Sequence, residues 1–572
     1  MEPNRAPAAA RRMIGRLRAG TLAIAVALPT LAGTLALAGS LPACIGSIGG
    51  PAGDDATNTI ALRSRYPRLT HEQWENTVQD LLQLDEPTGM SASFTGDPLS
   101  GFFDNSESAM TVAPGLWADY QTAAEELSKM LVSDPAKLER ILPPADASGD
   151  DTARARAFIE QFGKRAYRRP LSASEIDSHL AVYAQGKAVY ASGDDFKDGM
   201  TLVLQAFLQS PHFIYRVERS TDARVADALI PLDGWEVATR LSYTLWGTMP
   251  DDALFEAAAT GELETKEGVK AHAERMLKDP RALDMIRSFH RQLFQWDHYY
   301  DLYKDDATFP EFGPELRQDM VREAELFVQS EIFERGGGLK ELLTSRVAFV
   351  NQRLADVYGV EGTFTPDEFT EVTLPEGERA GVLTRLGFLA ANGTAFASDP
   401  IHRGVFVNLR VLCAKLPPPP NNVTPLPPAD SKTTRERVTS HTGPGTCGAS
   451  CHGTLINPIG FAFEHYNAIG RFRTEDNGFP VNSADQYPLG GQLVSYGDAI
   501  EFSQVLADSQ EAHRCWAQNW LQFAYGRNVV VEDTPLLDSL AESSRGGMPL
   551  EDLLIEIVTS DAFLTRRPVE AP

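Results

Sequence analysis

The chain has 572 residues, too many for a single hydrophobic core, and its composition (43% hydrophobic, 9% aromatic, 23% charged) is that of an ordinary soluble globular protein. With 52 Lys and Arg against 78 Asp and Glu it carries a formal charge of −26. Such a surface repels phosphate backbones, and no basic stripe with interleaved aromatics interrupts it, so nucleic acid is not an expected partner. A cationic redox partner protein is what this charge would attract.

The N-terminus reads as a lipoprotein signal peptide over residues 1–43. Arg5, Arg11, Arg12, Arg16 and Arg18 precede a long Ala/Leu-rich apolar run. Leu41-Pro42-Ala43-Cys44 has the form of a bacterial lipoprotein box, with Cys44 the lipidated residue. The competing reading is an uncleaved anchor, since about 20 apolar residues can span a bilayer. Residues 44–65, opening with a Gly/Ser/Asp-rich stretch, read as a flexible tether. The expectation is an extracytoplasmic membrane lipoprotein, held to the membrane by its N-terminal lipid and facing the periplasm or the cell surface.

The remainder reads as mainly α: multidomain helical modules with a few short strands near the C-terminal third. Module 1 (66–142) opens with Thr70 and Gln73 in a capping-box pattern, followed by Trp74, Val78, Leu81 and Leu82 at helical spacing, with Pro87 ending the helix. After a Pro/Asp/Ser/Gly linker, module 2 (152–219) carries a second capping box at Ser172 and Glu175. It places Phe196, Met200, Val203 and Phe207 on one helical face. In module 3 (230–360) Trp235, Ala238, Leu241 and Leu245 recur at helical steps. His290 and His298 there sit among aromatics and read as core residues. Gly336-Gly337-Gly338 follows a helix and lacks the Lys-Ser/Thr of a phosphate loop. Module 4 (378–486) contains a polyproline segment from Leu416 to about Pro428, then a short helix capped by Thr433 and Glu436. Module 5 (487–567) is helical again, its longest helix carrying Cys515, Trp516, Trp520 and Phe523.

The short helix after the polyproline segment delivers the chain to its one chemically dense stretch, His441 to Phe461. Here Cys447, Cys451 and His452 form Cys-x-x-x-Cys-His. Two thiols followed at once by an imidazole is the arrangement that attaches haem c. The thiols form thioethers to the vinyl groups and the adjacent His ligates iron. The usual spacing has two residues between the cysteines; this chain has three. Gly445, Gly448 and Gly453 would let the backbone approach a porphyrin. Candidates for the remaining axial position are Met548, His441, His465 and His402.

Several runs together resemble the planctomycete- and myxobacterial-type secreted proteins built from five consecutive domains of unknown function. They are 68–82, 165–171, 210–213, 240–251, 379–383, 402–405, 447–471 and 525–527. The resemblance implies a cytochrome c-like Cys/Cys-His motif in the fourth module, falling here on Cys447, Cys451 and His452, with Asn457, Pro458, Gly460, Phe461 and Glu464 following as in the family. The implied activity is c-type haem binding in redox or electron transfer.

Two other chemistries stay open at this level. Without Cys44 four cysteines remain: Cys413, Cys447, Cys451 and Cys515. All four pair in a non-catalytic surface or scaffold protein, or Cys413 pairs with Cys515 while the other two take haem. Cysteines four apart on a helical turn are within disulfide reach. A structural zinc site on the same residues would need a fourth donor. Whether the chain is an enzyme is not decided: it has no Gly-x-Ser-x-Gly or His-Glu-x-x-His, and its carboxylates are scattered.

Overall fold

The computed structural model describes residues 63–567 apart from 100, 144–149, 222–228, 418–425, 427–431, 444 and 447. The expected leader with Cys44, the tether up to residue 62, most of the polyproline segment and Cys447 lie outside the described residues. Among the described residues the chain is mainly α, as expected, and its strands occur as four two-stranded antiparallel pairs. No described helix is long and apolar enough to cross a membrane.

Helix starts follow the local chemistry of the sequence. Thr70 accepts from the Gln73 N–H at 3.1 Å while the Gln73 side chain accepts from the Thr70 N–H at 3.3 Å, and helix His71–Leu82 begins there. The same reciprocal pairs open Ala173–Tyr190, through Ser172 and Glu175, and Thr434–Thr442, through Thr433 and Glu436. Each satisfies two of the amide groups that a helix start leaves without intrahelical partners. The first helix stops before Pro87. Gln83 adopts a left-handed conformation (φ 50°) and donates its N–H to Gln79, closing the helix without proline.

The described chain packs around two hydrophobic cores, and neither respects the linear order of modules. Trp74, Leu81, Tyr120, Phe158, Met200 and Phe207 share the first core with Tyr243, Met249 and Phe255 from further along the chain. The second runs from Leu232 to Phe563, yet it takes in Phe103, which stacks on Phe289 with ring centroids 5.4 Å apart. Ile230 and Pro231 pair with Arg566 and Thr565, so the start of the third module is tied to the end of the fifth.

Helix Pro280–Phe294 buries His290 completely, against Phe289, Phe294, Trp296, Trp516 and Trp520. This fits the aromatic-core expectation for His290. His298 is exposed instead, because Gln295 turns left-handed (φ 57°) and takes the chain off the helical face. Burial pulls the His290 pKa down to about 4, against a hydrogen bond from Nδ1 to the Ile286 carbonyl that raises it. A histidine whose folded pKa lies below its unfolded value contributes stability that is fully present above the unfolded value and is lost as pH falls. The protein is therefore expected to lose on the order of 3 kcal/mol between pH 6.5 and pH 4 through this residue. Urea midpoints of His290→Leu, taken across that range, should fall less steeply than those of the wild type; parallel slopes would remove His290 from the account.

Candidate functional site

Helix Thr434–Thr442 is fastened at its start by Arg435. Its guanidinium donates to the carbonyls of Asn482 and Ala484 and to Asp485, and it lies 4.5 Å from the Phe461 ring centroid. The helix ends at His441 and Thr442. The chain then makes a helical turn at Ala449–Cys451, a π-helical turn at His452–Ile456 and the short helix Asn457–Ala462. Single π-helical turns occur often at functional sites because they re-aim one side chain within a helix.

The His452 ring is oriented from behind. Asn457, which is buried, donates from Nδ2 to the Thr442 hydroxyl at 2.9 Å, and that hydroxyl donates to the Val438 carbonyl at 2.8 Å. With its amide nitrogen committed, Asn457 turns its Oδ1 toward His452 Nδ1 at 3.3 Å. An acceptor at that distance places the ring proton on Nδ1 and leaves the Nε2 lone pair available. A Cβ on Gly448 would lie 3.2 Å from the ring, so the small residue there lets the imidazole sit close to the preceding turn. The Cys451 thiol is half-buried and bonded to no other cysteine among the described residues, with the Ser450 hydroxyl 3.9 Å from its sulfur.

The turn rests on helix Pro400–Phe406 at unusually close range. A Cβ on Gly404 would lie 2.0 Å from the Ile456 carbonyl oxygen, and one on Gly460 would lie 1.8 Å from the Pro400 carbonyl oxygen. The fully buried Arg403 donates to the carbonyls of Leu389, Phe463, Tyr466 and Asn467, gathering the chain on both sides of the site. Asn408 donates to the Leu455 carbonyl at 2.9 Å and accepts from the Tyr487 hydroxyl at 2.8 Å. Glu464, also buried, meets Arg473 at 3.2 Å.

The structure thus brings Cys451 and His452 together, with Thr442 joined to His452 through the Asn457 relay. The other ligand candidates are engaged elsewhere. His402 is an exposed partner of Asp399, which raises its pKa through a 2.6 Å contact. His465 bonds the Arg473 carbonyl through Nδ1 and stacks on Phe472. Met548 sits in a turn whose carbonyl abuts Gly338, while Leu550 donates to Gly337. No contact that the structure shows links Met548 to His452. Among the described residues, no group of three or more His, Cys, Asp and Glu side chains is arranged to hold a metal ion.

Cys413 and Cys515 form a disulfide, with Cα atoms 5.3 Å apart. Cys413 follows the π-helical turn Val407–Val411, and Cys515 lies in helix Gln510–Tyr525, so the bond ties module 4 to module 5.

Five protein-family models match the chain in succession. They are Protein of unknown function (DUF1587) at residues 67–133, (DUF1595) at 154–218, (DUF1592) at 232–360, (DUF1588) at 379–476 and (DUF1585) at 494–563. The chain is an array of five consecutive domains of unknown function. The Cys451–His452 turn falls in the fourth. No curated protein and no solved structure matches the chain.

The Cys-x-x-x-Cys-His spacing pointed to His452, but Asn457, Thr442, Arg403 and Asn408 emerge as the residues that hold the turn only once it is folded. The family resemblance takes in Asn457 and Arg403 but gives neither a part in holding the turn.

Proposed function

We propose that the protein is an extracytoplasmic, lipid-anchored c-type haem protein that takes part in electron transfer. Cys447 and Cys451 would hold the group covalently and His452 would offer Nε2 to its iron. The observation that carries this reading is the His452–Asn457–Thr442 relay. A ring whose Nδ1 proton is held by a buried acceptor is fixed in orientation and tautomer, as such partners do for metal-ligating histidines. The half-buried Cys451 thiol beside His452 fits the same chemistry. When bound, haem would supply a one-electron couple whose potential depends on its axial ligands and their surroundings. The Cys413–Cys515 disulfide supports an oxidising compartment, and Cys44 supports lipid anchoring.

With Cys413 and Cys515 joined, a scaffold protein with a Cys447–Cys451 disulfide is the second reading. The two separate cleanly in one experiment. The exported protein is produced alongside a haem c maturation system, and covalent haem is followed on denaturing gels. Wild type should retain haem, and Cys451→Ser should lose most of it while the circular dichroism stays helical. Equal haem content in both proteins would overturn the assignment of Cys451.

A further inference from the structure

Three arginines from separate stretches of sequence line a second, smaller cavity, of about 20 Å³, remote in sequence from the Cys451 turn. It lies between residues 63–67, residues 216–218 and helix Gly234–Leu245. Arg240 is 5% exposed. Its Nε donates to Glu218 at 2.6 Å and its Nη1 to the carbonyls of Phe563 and Thr565, but its buried Nη2 has no acceptor among the described residues. Arg63 donates from Nη2 to the Tyr525 carbonyl at 2.9 Å, and its buried Nη1 is likewise without an acceptor. Arg216 rests its guanidinium 5.5 Å from the Tyr243 ring centroid, and its buried Nε has no partner either.

Glu218 and Glu236 line the same cavity and Glu107 stands near Arg63, so carboxylates oppose part of this charge. Glu236 spends both oxygens on the amides of Arg219, Ser220 and Asp233 and on the Ser220 hydroxyl. Glu107 accepts from the Ser64 amide. Glu218 remains, already bound to Arg240 and with Arg566 4.0 Å from its other oxygen. Burial and the charge of Arg240 pull the Arg63 pKa down to about 9, and burial pulls Arg216 down to about 10. Buried guanidinium N–H groups without acceptors are costly, and an anion is what such groups recognise. A space of this size admits one or two water-sized groups.

We propose that this cavity binds one small anion, of halide or carboxylate size, between the guanidinium groups of Arg63, Arg216 and Arg240. The site joins the start of the described chain to the place where Ile230–Pro231 pairs with Thr565–Arg566, so the bound anion couples the two ends of the fold. It does not depend on the haem reading.

The test is thermal unfolding of the full chain at fixed ionic strength, with sodium gluconate progressively replaced by chloride or by acetate. For the wild type the transition should rise along a saturating curve by about 2–4 °C. Arg216→Met should ignore the exchange. Arg63→Met should also lose the increment, and it carries the test alone if Arg216→Met does not fold. Identical wild-type transitions in the three salts would overturn the proposal, as would an increment that survives in Arg63→Met. Arg216 also faces a larger cavity that Arg63 does not line, so loss in Arg216→Met alone would move the anion there and contradict the site.

Discussion

Gly460→Ala is expected to destabilise the fourth module by about 3 kcal/mol or more, the upper end of what overpacking a core costs. Helix propensity alone predicts the opposite sign, because alanine exceeds glycine by roughly 1 kcal/mol in a helix interior. The decisive fact is the approach of Pro400, whose carbonyl oxygen would stand 1.8 Å from the new Cβ. Neither partner yields easily, since the contacting atom is backbone and Ile459, Phe461 and Ala462 around Gly460 are buried. Gly404→Ala makes the reciprocal conflict with the Ile456 carbonyl oxygen at 2.0 Å and should behave alike. Hydrogen exchange over residues 380–476 reads the effect directly. Protection should collapse there first in both variants, and a stabilised Gly460→Ala would show that the two helices do not meet as described.

Arg403→Met should cost about 3–5 kcal/mol, the range for removing one partner of a buried charge interaction. Methionine preserves much of the apolar stem but leaves the carbonyls of Leu389, Phe463, Tyr466 and Asn467 without their donor. It also strips Glu464 of part of its compensation, since Arg473 and Arg403 are the cations that oppose the burial of that carboxylate. Arg403→Lys should recover little, because a single ammonium cannot reproduce the planar fork that spans four acceptors. Chemical denaturation of the two variants provides the measurement. A Lys variant close to wild type would mean that the charge alone, and not the fork, holds the site.

The helix starts were legible because capping is local. Thr70 with Gln73, Ser172 with Glu175 and Thr433 with Glu436 each need only four consecutive residues. The sharing of cores was not, since Phe103 meets Phe289 and Ile230 meets Arg566 through folding alone, and nothing in the neighbouring sequence marks those partners. At the site, spacing pointed to Cys451 and His452, and cysteine arithmetic named Cys413 with Cys515 as one of the possible pairs. The Asn457–Thr442 relay spans fifteen residues and a change of helix direction, so no periodicity announces it. Met548 was a candidate only by residue type, and its turn instead packs beside Gly338.

The central claim rests on covalent haem at Cys447, Cys451 and His452, and the pyridine haemochrome of the exported, matured protein tests it most directly. The account predicts a c-type haemochrome at about one haem per chain, together with a reduced-minus-oxidised spectrum. Correctly matured protein with no absorbance in the haem region, and with Cys447 recovered in a disulfide by non-reducing peptide mapping, would contradict it.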